Sequence, residues 1–142
     1  MPILLLALAI QVLAPLRVAA QREARPEDFL GLTACEAGAA VTTLRPDVRD
    51  SLLVAEIEAH EAVHREQAAE HGSCDGFLAT LTSARRIIDA ELPAYCAQWK
   101  MVVRRGADSV TTRREFAWRI AAQSGAMENR LHIAQRFEQE CR

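Results

Sequence analysis

The chain has 142 residues, enough for one domain, and half of it is hydrophobic. Its 17 Lys and Arg against 19 Asp and Glu leave a net charge of −2 with no basic run, which argues against nucleic acid as a partner. Beyond an apolar stretch at the N-terminus, nothing in the pattern addresses a membrane surface.

That stretch covers residues 3–16, is uncharged, and ends near a helix breaker, Pro15. It is too short to span a bilayer comfortably. Val18 and Ala20 then supply small residues at the −3 and −1 positions of a signal-peptidase site. The expectation is a signal peptide over 1–20 and a single exported domain over 21–142, periplasmic or secreted, with no membrane contact once the signal is removed. The segment before the apolar run, Met1-Pro2-Ile3, lacks the usual Lys or Arg.

Residues 21–34 read as a charged, proline-containing lead-in, and 39–44 as a short strand or extended arm. Pro46 and Asp47 open a helix that runs to about His71, where Gly72 supplies the stop. Its positions 53, 57, 60, 64 and 68 carry Leu, Ile, His, His and Ala, so two histidines lie on the inward stripe. A second helical segment spans about 76–101, and Pro93 is expected to kink it or divide it near Glu91. Arg104 to Asp108 is a turn. Thr112-Arg113-Arg114-Glu115 reads as a capping box opening a third helix that reaches Gln139, with a bend at Ser124-Gly125. The expected class is mainly α: a small bundle of about three long helices with minimal or no sheet.

The chemistry is concentrated in His60-Glu61-Ala62-Val63-His64, an H-E-x-x-H string on the first helix. Histidines at i and i+4 share one helical face and can grip one zinc ion, and the glutamate beside them can accept a proton from an attacking water. Catalytic zinc usually takes a third protein ligand. Glu91 is one candidate, because a turnaround through 71–76 brings its segment back along the first helix. Tyr95 lies one turn beyond Glu91 and could donate a hydrogen bond to a developing oxyanion. His71 is the other candidate, but an unbroken helix carries it about 10 Å past His64. His132, the remaining histidine, reads as a surface residue of the third helix.

The string His60 to His64, followed by Arg65-Glu66-Gln67, resembles the active-site helix of small bacterial zincin-like proteins, some of which continue H-x-x-Q and others of which carry a later E-x-x-A-Y, as Glu91 to Tyr95 does. The resemblance covers about 40 residues, Val54 to Tyr95, and leaves out the third helix. It implies a zinc metallopeptidase, with His60, His64 and Glu91 as ligands of Zn2+ and Glu61 as general base. A peptide or protein of the cell envelope would be the substrate. The chain shows no evident strand to align a substrate. The competing expectation is a non-catalytic periplasmic binding or structural protein whose H-E-x-x-H is a structural metal clip or coincidental.

Four cysteines, Cys35, Cys74, Cys96 and Cys141, all follow the apolar run, and an even count in a small exported domain predicts two disulfides. Of three pairings, Cys74–Cys96 with Cys35–Cys141 is favoured. The first would tie the two ligand-bearing segments, and the second would pin the start of the domain to its last helix.

Overall fold

A computed structural model describes Leu8–Ala9 and residues 30–142. The expected signal segment and its cleavage position lie outside the described residues, apart from Leu8–Ala9. That dipeptide (β1) pairs antiparallel with a hairpin formed by β2, Gly31–Glu36, and β3, Ala39–Leu44. Five α-helices follow among the described residues: α1 Ser51–Glu70, α2 Cys74–Thr80, α3 Ala84–Arg104, α4 Ser109–Gln123 and α5 Arg130–Glu140. The mainly helical class holds, with more and shorter helices than three and with a small sheet.

The hairpin is the main departure from expectation. β3 falls on the segment read as strand or arm, but β2 occupies the end of the presumed lead-in. Its inward residues are Gly31 and Thr33, neither a large apolar side chain, so the alternation that announces a half-buried strand is absent. The two-residue turn, Ala37–Gly38, has positive φ at both positions (50° and 83°), the backbone hand that matches strand twist in a tight hairpin. Gly31 is required by close approach rather than by φ: a Cβ there would stand 2.3 Å from Ile57 Cγ2. The missing side chain lets β2 lie directly on α1, one turn before Glu61.

α1 begins later than expected. Pro46 and Asp47 form a turn, and Asp50 is the cap, its carboxylate accepting from the amides of Leu52 and Leu53 at 2.8 and 2.9 Å. The helix ends where predicted, with Gly72 at φ 77°. The second helical segment is divided at Leu81–Ser83, not at Pro93. α3 runs through Pro93, which is exposed; the helix there lacks the hydrogen bond an N–H would have given Asp89, and the ring crowds that carbonyl. The third segment is also divided. Asp108 caps α4 by accepting from the amide of Thr111, which leaves the expected capping box within the first turns. The bend at Ser124–Gly125 is a full break that turns α5 back on α4.

The core has two main parts. Leu92 and Tyr95 of α3, Phe116 and Ile120 of α4, and Ile133 and Phe137 of α5 make the larger. Ala68, Cys74, Phe77, Leu81 and Ala90 fill the space around α1, α2 and α3. α3 therefore separates the α4–α5 layer from α1 and the hairpin.

The disulfides pair differently from expectation: Cys35 with Cys74 and Cys96 with Cys141. The unforeseen hairpin brings Cys35 to the start of α2, where the amide of Cys74 also donates to the Gly38 carbonyl. The break before α5 returns Cys141 to the flank of α3, beside Cys96. Both bridges fit an exported protein, and no described helix is long and apolar enough to cross a membrane.

Candidate metal centre

His60 and His64 sit one turn apart on the face of α1 that meets α3. Their Nε2 atoms are 3.1 Å apart. Glu91 enters from α3, with Oε2 3.3 Å from His60 Nε2 and Oε1 3.5 Å from His64 Nε2. A tetrahedral ion with bonds of about 2.0–2.1 Å places its ligand atoms roughly 3.3 Å apart; the separations here are of that size, the two to Glu91 being made by different carboxylate oxygens, and one ligand atom from each residue lies within 4.8 Å of the others. The donor set, two imidazoles and one carboxylate, could hold a metal ion. His71 is outside it. His71 is exposed and its Nδ1 bonds the Gln67 carbonyl at 2.8 Å, at the end of α1. His132 is exposed on α5.

Burial makes the cluster electrostatically demanding. His60, Glu61, His64 and Glu91 are 0–2% exposed, so their charges must be balanced locally. Burial alone would raise the Glu91 pKa, but His64 and His60 outweigh it and hold Glu91 down at about 2. Burial would lower His64, and the Glu91 charge overrides that and raises it to about 8. In the metal-free protein His64 and Glu91 thus form a buried ion pair. Glu91 Oε2 has no hydrogen bond, and neither does Glu61 Oε1. Buried carboxylate oxygens left without a donor beside two imidazoles are what a cation and its water would satisfy, so the residues fit a metal.

Glu61 stands next to this group rather than in it. Its Oε2 accepts from the Thr33 hydroxyl of β2. Thr33 Oγ1 lies 2.9 Å from Thr42 Oγ1, and Arg65 donates to Thr42. A guanidinium can only donate and a carboxylate can only accept, so every proton in this chain points toward Glu61. Burial raises the Glu61 pKa, while His60 and the Thr33 bond oppose the rise. The result is a buried carboxyl group with one oxygen held by Thr33 and the other without a hydrogen-bond partner.

Tyr95 is fully buried and meets His60 edge-on, with ring centroids 4.5 Å apart, and packs on Phe116 at 5.1 Å. Burial drives its phenol pKa far above the ordinary range. The contact seen is with the imidazole ring. Thr33 and Thr42 went unforeseen as site residues because the strand that presents Thr33 was itself unrecognised.

Comparison with protein families, with curated proteins and with solved structures finds no match for this chain.

Proposed function

We propose that the chain is an exported zinc-dependent hydrolase of the zincin-like kind, acting as a peptidase on proteins or peptides of the cell envelope. The observation that carries this reading is the convergence of His60, His64 and Glu91 in one buried group that could hold a metal ion, with Glu61 beside it. Zinc suits two imidazoles and a carboxylate, and when bound it acidifies water and polarises a carbonyl. The chain's own residues supply the rest. Glu61 accepts a proton from the attacking water through its free oxygen and returns it to the departing amine. Thr33 fixes the other oxygen. Tyr95 packs His60 into place and is a candidate oxyanion donor.

One observation favours a second reading, a non-catalytic structural metal clip: ligands and Glu61 alike are almost fully buried. The two separate on Glu61→Gln. In a hydrolase this substitution leaves zinc content intact and lowers cleavage of a peptide library by about 10²–10⁴-fold, the usual cost of losing a general base. A zinc-loaded wild type that cleaves no peptide would favour the clip.

A further inference from the structure

Gln67 lies three residues beyond His64 on α1, half-buried, and its side chain makes two bonds. The amide nitrogen donates to the carbonyl of Ala90 at 2.9 Å. The amide oxygen lies 2.8 Å from His64 Nδ1. Ala90 immediately precedes Glu91, so one side chain joins a ligand on α1 to the backbone that carries the ligand on α3.

The chemistry of these partners allows one arrangement. A backbone carbonyl can only accept, so the NH2 of Gln67 must face Ala90. The amide oxygen therefore faces His64. An oxygen of this kind can only accept, so His64 Nδ1 must carry a hydrogen. In the neutral ring Nε2 then holds the lone pair, and Nε2 is the atom that faces His60 and Glu91 at 3.1 and 3.5 Å. The two histidines differ here. His60 Nδ1 has no hydrogen-bond partner and is placed by packing against Tyr95.

We propose that Gln67 is a positioning residue for the metal: anchored on Ala90, it fixes His64 in the Nδ1–H tautomer and presents Nε2 to the ion. The inference rests on reading the cluster as a metal site and names the residue that readies one ligand. A partner to the second nitrogen of a metal-binding histidine sets its tautomer and ring orientation, and losing such a partner costs about 10–100-fold in metal affinity.

Two measurements test it. Long-range 1H–15N correlation spectra of the metal-free wild type at alkaline pH, where the ring is neutral, should show His64 protonated on Nδ1. A proton on Nε2 would overturn the proposal. Zinc affinity is then measured by chelator competition for wild type, Gln67→Ala and Gln67→Glu. Gln67→Ala should bind about 10–100-fold more weakly. Gln67→Glu keeps an acceptor at Nδ1 but loses the donor to Ala90, so it should bind zinc more tightly than Gln67→Ala and more weakly than wild type. Zinc binding by Gln67→Ala as tight as by wild type would overturn the role. If Gln67→Ala does not fold, the wild-type tautomer and the Gln67→Glu affinity decide. If the wild type binds no zinc, the metal reading fails, and the tautomer spectrum still judges Gln67.

Discussion

The hydroxyl of Thr33 donates to the carboxylate of Glu61, joining the β2–β3 hairpin to the helix that carries His60 and His64. Gly31, two residues earlier on the same strand, makes the approach possible by presenting no side chain to Ile57. The hairpin is thus part of the site. Thr33→Val keeps the shape and removes the donor, leaving both oxygens of a buried carboxylate without a protein partner. The expected loss is about 1–3 kcal/mol, as for a buried hydrogen bond to a charged group, with Thr33→Ser retaining most of the stability. Urea unfolding of the three proteins reads this directly, and equal stability of Thr33→Val and wild type would remove the hairpin from the account.

Glu91 and Glu61 should respond differently to the same chemical change. Glu91→Gln replaces an anionic ligand by a neutral amide, a poorer partner for a divalent cation. Zinc retention should fall by more than the roughly 10–100-fold typical of losing a ligand's supporting partner. Glu61→Gln should leave retention close to wild type. Dialysis against a graded chelator series distinguishes them, and equal behaviour of the two variants would contradict the assignment of ligand and base.

Metal binding should release protons. His64 is raised to about 8 in the metal-free protein by Glu91, so near pH 7 its Nε2 carries a proton that an incoming ion must displace. Apparent zinc affinity should therefore fall as pH drops below about 8. Calorimetry in two buffers of different ionisation heat should report about one proton released per ion at pH 7. The metal-free protein shows the opposite trend from this group. Its folded pKa lies above the unfolded value of 6.5, so its contribution is complete below that value and is lost as pH rises through about 8. Glu91, depressed to about 2, contributes above its ordinary 4.5 and loses that contribution only as pH falls toward 2. Metal uptake without proton release would contradict the ion pair.

Peptide mapping of the unreduced protein should recover Cys35 linked to Cys74 and Cys96 linked to Cys141. Replacing both Cys35 and Cys74 by Ala opens a link spanning 39 positions and should cost about 2–4 kcal/mol. Because Cys35 lies two residues beyond Thr33 on β2, the same variant should loosen the hairpin. Slower hydrogen exchange at β2 amides in the variant than in wild type would contradict that coupling.

Much of the helical frame was legible because it depends on local signals. The inward stripe of α1 holds as read, since Ile57, His60, His64 and Ala68 are buried, and Gly72 ends the helix with the positive φ only glycine adopts freely. Glu91 was legible as a ligand candidate because the i, i+4 histidines left a coordination position to fill. The rest turned on tertiary packing. β2 hides its inward face behind Gly31 and Thr33, so no apolar alternation marks it. Pro93 lies on the exposed side of α3, within the helix and not at its break, so reading proline as the divider misplaced the division. The disulfide pairing followed from the hairpin, which the expectation lacked, and from the reversal before α5, which it took for a bend within one helix.

The central claim is that His60, His64 and Glu91 hold a zinc ion, and elemental analysis of protein made in an oxidising compartment and dialysed free of loose metal tests it most directly. The account predicts about one zinc per chain in the wild type, as for a single site with three protein ligands, and almost none in His60→Ala His64→Ala. A wild type without metal, or a double variant that keeps its zinc, would contradict it.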